Sequence, residues 1–332
     1  MKDATARIRA VPFQPHAFFF GGFDIQMCRT LEVMIAMGLD AKPLDFWSRD
    51  DEFDALHIWG LDPSHENLVR TARQNRKKVV ITPLLPYVTA GNWCRHLVRW
   101  AQGRRRPLFE ILRRTDRLLV VNDLQVETAV RMFRYPREQV EIIPTIIDSS
   151  FFVDKLEDPL DGLRDYMVCA GNIWPRKNQL RLAQAALQAG VPIVFVGNVM
   201  AGEEAYTAEF TALVKRSPSL HWYKWVSLPD LKRLFRNASG VALPSFVETQ
   251  PAAGLEAAAL RKPLLLGSRP YALQSFFQNA YLADPNSVPD IAAGLQRLRE
   301  HAAAHIPRQD LIQQCRPEVV GENLKRIFCS LS

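Results

Sequence analysis

GVALPSFVETQPAAGLEAAALRKPLLLG, residues 240–267, is where the architecture of this chain first becomes readable. A β-branched and apolar run, GVALP (240–244), gives way to a short polar loop. An alanine-rich helix then begins at Pro251, and an apolar run, PLLLG (263–267), closes the stretch. Proline suits the first helical position because its missing N–H would have no partner there. Strand, loop, helix and strand in succession form the repeating unit of a parallel sheet. That unit aims backbone N–H groups and the positive end of a helix at the carboxyl end of a strand, a ready place for a phosphate. Two carboxylates flank it, Glu248 in the loop and Glu256 in the helix. If all eight steps between them were helical, their Cα atoms would stand ~12 Å apart, too far for a glycosidase acid–base pair. They are better placed to accept hydrogen bonds from two parts of one long ligand, such as two sugars bridged by phosphates.

The same alternation extends in both directions. ALHIW (55–59), KVVIT (78–82), RLLVV (117–121), VEIIP (140–144), YMVCA (166–170) and PIVFVG (192–197) have the composition of buried strands. Between them, QMCRTLEVMIAMG (26–38), NQLRLAQAALQAG (178–190) and LPDLKRLFRNA (228–238) carry helical spacing, and two of the three end on glycine. The acidic stretch DSSFFVDKLEDPLDGLRD (148–165) breaks the pattern and is expected to link two domains. The expected architecture is α/β, with two Rossmann-like β/α/β domains facing a cleft over residues 1–150 and 160–311. A closing amphipathic helix within 312–332 is expected to pack back on the first.

A second strand-to-helix turn, MVCAGNIWPRKNQLRLAQAAL (167–187), puts Arg176 and Lys177 at the carboxyl end of a strand. Lys177 suits a point-charge clamp on a diphosphate, and Arg176 can fork onto two oxygens. Cations at a helix start oppose the macrodipole unless an anion is present.

Composition narrows the alternatives. The 332 residues are 48% hydrophobic and 23% charged, which excludes disorder and disulfide-dense mini-folds. The net charge of +7 is concentrated, with eleven arginines against five acids between residues 91 and 140. The stretch NWCRHLVRWAQGRRRPLFEILRR (92–114) mixes Trp93, Leu97, Trp100 and Phe109 with seven of those arginines. Such a segment suits an anionic membrane surface, and equally a solvated helix with one buried face. Five scattered cysteines without a C-x-x-C pair fit reduced thiols. With a charged N-terminal stretch and no long apolar run, the expected location is the cytoplasm, or the inner face of the membrane.

Several motifs are missing. No G-x-G-x-x-G follows a first strand, and GNVMAG (197–202) lacks the Lys-Ser/Thr of a P-loop. His301 and His305 in HAAAH lie four apart without an intervening Glu or a third ligand, so they are expected on a solvated helix face. No metal and no cofactor is expected.

AGNIWPRKNQ, PIVFVG, LHWYKWVSLPDLKRLFRNA and PSFVETQPAAGLEAAALRKPLLLG come in an order and spacing that resembles the C-terminal domain of retaining GT-B glycosyltransferases of the family-4 type. FFFGGFDIQMCRTLEVMIAMG resembles that family's Gly-Gly loop and first helix. RRTDRLLVVNDLQVETAVRMF and VEIIPTIIDSSFF resemble its last N-domain units. The resemblance implies transfer of a sugar from a nucleotide-diphosphate donor to an acceptor hydroxyl with retention, in bacterial cell-surface polysaccharide or glycolipid assembly. It implies an acceptor-binding first domain and a donor-binding second one. Glu248 would meet the transferred sugar, Lys177 the leaving diphosphate and Glu256 the ribose. Asn172, Arg176, Pro251, Ala252, Ala253, Gly21 and Gly22 would line the donor, and Trp225 and Val226 the base. Asn172 stands where the family carries arginine, and Gln250-Pro251 replaces its Phe-Gly. Thr82-Pro83-Leu84 stands where the family often has histidine, leaving His57, Trp59 and Asp24 as acceptor-side candidates. The acceptor is expected to be a saccharide, free or lipid-linked. Three other readings remain open: a polyanion- or nucleic-acid-binding protein using the arginines, a non-catalytic scaffold of the same shape, and a sugar-nucleotide epimerase.

Overall fold

A computed structural model describes residues 6–18, 21–153 and 158–331. The chain divides into two compact units, Met1–Ile146 with Gln314–Ser332, and Ile147–Gln313.

In the first unit the strands are β1 (Arg7–Val11), β2 (Asp40–Pro43), β3 (Ala55–Trp59), β4 (Lys78–Thr82), β5 (Arg117–Val120) and β6 (Val140–Ile142). Its helices are α1 (Gly22–Ala36), α2 (Glu66–Gln74), α3 (Ala90–Ala101), α4 (Arg106–Arg113) and α5 (Asp123–Phe133). The strands pair in parallel in the order β2-β1-β3-β4-β5-β6. Alternate residues feed two separate cores, because successive side chains of a strand point to opposite faces. Val79, Ile81, Leu118 and Val120 join one core with Val69, Ile111 and Val126 of α2, α4 and α5. Val80 and Leu119 join the other, with Leu31 and Met34 of α1.

The second unit begins with β7 (Met167–Ala170), α6 (Gln179–Ala189), β8 (Ile193–Val196), α7 (Glu204–Lys215), β9 (Leu220–Tyr223), α8 (Leu228–Asn237) and β10 (Gly240–Leu243). It continues through α9 (Ala252–Ala259), β11 (Leu264–Gly267), β12 (Tyr281–Ala283), α10 (Val288–Glu300) and α11 (Gln309–Ile312). Its parallel sheet runs β12-β11-β10-β7-β8-β9. Both sheets are α/β sheets of the expected class.

The chain ends on α12 (Pro317–Cys329), which returns to the first unit. Val320, Leu324, Ile327 and Phe328 enter the core beside α1, and the helices approach closely at Gly321. A Cβ there would lie 2.7 Å from Met37 Cγ and 2.8 Å from Val33 Cγ1.

Several sequence expectations need correction. Residues 148–153 are not linker: Phe151 is fully buried in the second unit with its ring edge-on to Phe235 at 6.0 Å. The middle of the expected linker, residues 154–157, lies outside the described residues. The arginine-rich stretch is two helices, parted at Gly103, whose φ of +71° belongs to the left-handed region. HAAAH is not one helical face either, since α10 ends at Glu300 and a 3-10 turn takes over from Ala302.

Strands β1, β2, β9 and β12 are additional to the expected set. RIRAV (β1) hides because Arg7 and Arg9 interrupt its apolar run. Tertiary pairing resolves that conflict: Arg9 Nη2 meets Asp40 Oδ2 at 3.2 Å, and Arg7 Nη2 meets Asp54 Oδ1 at 3.3 Å. With those charges answered, Ile8 and Ala10 are buried.

Candidate functional site

Residues from three loops of the second unit converge where β7, β8 and β10 end. After β7 the chain passes through Gly171 and Asn172 into a one-turn helix, Pro175–Lys177. Asn178 follows at φ 64°, ψ 28°, a left-handed conformation that asparagine tolerates better than most residues. Its side-chain amide donates to Pro244 O at 3.1 Å and to Pro285 O at 2.7 Å, tying the turn to the chain beyond β10 and β12. Gln179 organises the other side. Its Nε2 donates to Asn172 O at 2.8 Å, and its Oε1 accepts from Trp174 N at 3.2 Å.

The loop after β8 closes against this turn. Gly197 has φ +149°, and a Cβ there would stand 2.2 Å from Gly171 O, so the approach excludes every residue but glycine. The loop after β10 is held from beneath. Tyr271 Oη donates toward Leu243 O at 3.1 Å, and Gln274 Nε2 donates to Thr249 O at 3.1 Å and to Tyr271 O at 2.7 Å. Gln250 in turn donates to Gln274 Oε1 at 3.0 Å.

On this support Lys177 Nζ meets Glu248 Oε1 at 2.6 Å, with the side chains only 22% and 8% exposed. Two residues 71 positions apart, singled out above from separate motifs, are thus one ion pair. Behind the pair, burial pushes the Cys169 thiol up to about 12, so it stays protonated. Helix α9 starts at Ala252, so Pro251 is its N-cap and not, as expected, its first helical residue. The half-buried Ala252 and Ala253 present first-turn N–H groups, which have no intrahelical partner. Glu256 lies buried on the same helix.

The remaining sequence candidates spread more widely. Arg176 does not join Lys177: its guanidinium stacks over the Trp174 ring at 4.2 Å. Asn172 is exposed, with Nδ2 3.3 Å from Met200 Sδ. Trp225, 80% exposed, and Val226 follow β9 just before α8, which Ser227 caps by accepting from Asp230 N at 3.2 Å.

Gly21, Gly22 and Asp24 belong to the first unit, at the start of α1. Asp24 is occupied locally: Oδ2 accepts from Gly21 N at 2.9 Å, and Oδ1 lies 3.3 Å from His16 Nε2. It caps the helix, and its carboxylate is already engaged. His57 also departs from the acceptor-side expectation. It is fully buried on the interior strand β3, between the rings of Trp59 and Phe328, and Nε2 is 2.8 Å from Thr82 Oγ1. Burial lowers its pKa from 6.5 to about 3, so the ring is a neutral core residue. Trp59 is buried with it, against Phe23 at 5.1 Å.

Asn178 and Gln179 are the positioning residues that sequence reasoning passed over. Their signal was available: a polar pair directly before an apolar-periodic helix is where capping and turn chemistry concentrate. Among the described residues, no group of three or more His, Cys, Asp or Glu side chains is arranged to hold a metal ion.

Residues 164–301, wholly inside the second unit, match the family model for glycosyl transferases group 1. That unit is similar to group 1 glycosyltransferase domains. No curated protein sequence matches the chain. Solved structures similar to the whole chain include HepE of Anabaena, determined with UDP and glucose, at TM-score 0.74 and 12% identity, over 98% of this chain and 100% of that one. A sucrose-phosphate synthase from Thermosynechococcus elongatus reaches TM-score 0.72 at 15% identity, over 98% and 99%. WaaG, a glycosyltransferase involved in lipopolysaccharide biosynthesis, reaches 0.63 at 14%, over 97% and 99%. The fold of the chain is therefore GT-B.

Proposed function

We propose that this chain transfers a sugar from a nucleoside-diphosphate donor to an acceptor hydroxyl with retained anomeric configuration. The observation that carries the reading is the Lys177–Glu248 pair, held at 2.6 Å beside the open first turn of α9. Lys177 would offset the charge of the diphosphate and the Ala252 and Ala253 amides would donate hydrogen bonds to it, while Glu248 accepts a hydrogen bond from a hydroxyl of the donor sugar. Glu256 accepts from the ribose. In the transfer, the bond between the anomeric carbon and phosphate oxygen breaks and a bond to the acceptor oxygen forms. The acceptor proton passes to the departing diphosphate. The protein contributes position and charge, with no side-chain nucleophile. The group 1 match and the HepE complex with UDP support this donor class.

The test is nucleoside-diphosphate release from a panel of UDP-, GDP-, ADP- and CDP-sugars. Release from one nucleotide class, lost in Glu248→Ala while the thermal transition is kept, supports the reading. Absence of both release and binding across the panel overturns it.

In this reading the acceptor belongs to the first unit and is met at an anionic bilayer, for a reason found on α3. Trp93, Leu97 and Trp100 recur at helical spacing and are all exposed, Trp100 by 62%, with Val98 beside them. Exposed Arg95, Arg99, Arg104 and Arg106 flank this stripe, while His96 turns inward against Phe109 and Phe133. An apolar stripe bordered by arginines suits a surface of acyl chains and anionic headgroups. Flotation with anionic vesicles at low salt is expected, and its absence removes the bilayer from the reading. Among the described residues, no helix is long and apolar enough to cross a membrane.

A further inference from the structure

A recess of about 590 Å³ opens on the second unit, its walls formed chiefly by Arg176, Arg181, Gln184, Tyr206, Glu209 and Phe246. Neither Lys177 nor Glu248 lines it. Its two guanidiniums form no ion pair with any described carboxylate. Each is instead braced by an aromatic ring, Arg176 over Trp174 at 4.2 Å and Arg181 over Phe246 at 5.7 Å. Arg181 Nη1 also donates to Asn178 Oδ1 at 3.3 Å. Stacking fixes the plane of a guanidinium and leaves its N–H edge free for a planar or tetrahedral anion.

The other lining residues have a different chemistry. Tyr206 Oη accepts from Leu180 N at 2.9 Å, which leaves its own hydrogen to donate. Gln184 and Glu209 are exposed and offer hydrogen-bonding groups that suit hydroxyls, while Phe246, Leu180 and Pro175 offer apolar faces. A carboxylate lining the same recess as two arginines disfavours a uniformly anionic chain such as nucleic acid. It favours a ligand that is anionic at one end and hydroxylated at the other.

We infer that this recess binds a small phosphorylated sugar, its phosphate on Arg176 and Arg181 and its hydroxyls toward Gln184 and Glu209. The site stands apart from the Lys177–Glu248 pair, and its occupation does not depend on the transfer reaction. It is mechanically linked to that pair all the same: Phe246 N donates to Arg176 O at 2.9 Å, joining the two loops that carry Lys177 and Glu248.

Isothermal titration of the full chain with a hexose 6-phosphate, the free hexose and inorganic phosphate tests the assignment. The hexose phosphate is expected to bind at least tenfold more tightly than either component. Arg181→Gln weakens it at least tenfold, while Lys177→Ala and Glu248→Gln leave it unchanged. Gln184→Ala and Glu209→Ala, on exposed helix faces, give a second test if Arg181→Gln does not fold, and each lowers affinity severalfold. No binding by the wild-type chain overturns the inference. So does binding abolished by Lys177→Ala but indifferent to Arg181→Gln, which would put the phosphate at the ion pair. Equal affinity for inorganic phosphate overturns the sugar assignment.

Discussion

Lys177 Nζ stands 2.6 Å from Glu248 Oε1, so the cation proposed to hold the donor diphosphate already has a partner within the chain. A diphosphate must compete with Glu248 for that ammonium, or draw it away. Binding and catalysis are therefore expected to separate on mutation. In Glu248→Gln the ammonium loses its competing charge, and nucleoside diphosphate affinity is expected to rise by about threefold or more. Transfer falls by about 10²-fold or more, because the contact to the donor sugar is weakened. Titration calorimetry and initial rates on the same preparation read the two effects. Weaker nucleotide binding with full activity would contradict both roles.

Gly197 tests the loop that supports the pair. Alanine at this position would place its Cβ 2.2 Å from a backbone oxygen that cannot swing aside, at a φ of +149°. Gly197→Ala is expected to cost about 1–3 kcal/mol and to weaken nucleotide binding together with stability. Chemical denaturation and nucleotide titration would both register it. Gly202→Ala, with nothing within 4 Å of the added carbon, is the control for backbone strain alone at a φ of +85°.

The buried His57 gives the first unit a pH signature. Its folded pKa near 3 lies below the ordinary 6.5, so between those values the unfolded chain binds a proton that the folded chain does not. This contribution to stability is complete above ~6.5 and declines as pH falls toward ~3, by at most about 1.4 kcal/mol per pH unit. His57→Gln can keep a hydrogen bond to Thr82 and removes the titration. Between neutral pH and roughly pH 5 the wild-type chain should lose about 2 kcal/mol more than the variant. Parallel losses would show that His57 is not held neutral.

Arg9 and Asp40 test why a charged segment became an interior strand. Arg9 is buried, and besides Asp40 it donates to the Ile8 carbonyl at 3.0 Å. Removing Asp40 leaves that guanidinium underpaired, so Asp40→Ala is expected to cost about 1–3 kcal/mol. Arg9→Met, which removes the buried charge and keeps an apolar stem, is expected to cost less. Denaturation midpoints of the two variants decide the order.

Periodicity carried much of the fold. KVVIT, RLLVV, PIVFVG and PLLLG are buried on both faces, so continuous apolar runs marked them without reference to anything distant. RIRAV was not legible in that way, because its arginines are acceptable only once Asp40 and Asp54 arrive from later in the chain. Residues 148–153 open on the polar Asp148, Ser149 and Ser150, and the ring that packs on Phe151, Phe235, is far away in sequence.

The candidate site residues divide along the same line. Turn chemistry and helical spacing are enough to put Lys177 at a helix start after one strand, Glu248 after another, and Glu256 on the helix that follows. Those are local facts, readable from neighbouring letters. That Lys177 and Glu248 meet, while Arg176 one residue away turns to Trp174, is a property of the folded chain. So is the burial of His57, which leaves it no surface to offer a ligand. The pairing depends on parallel strands bringing distant loops to the same sheet edge, and the burial depends on α12 returning from the end of the chain to cover β3. Neither relationship is encoded within the few residues over which local preferences act.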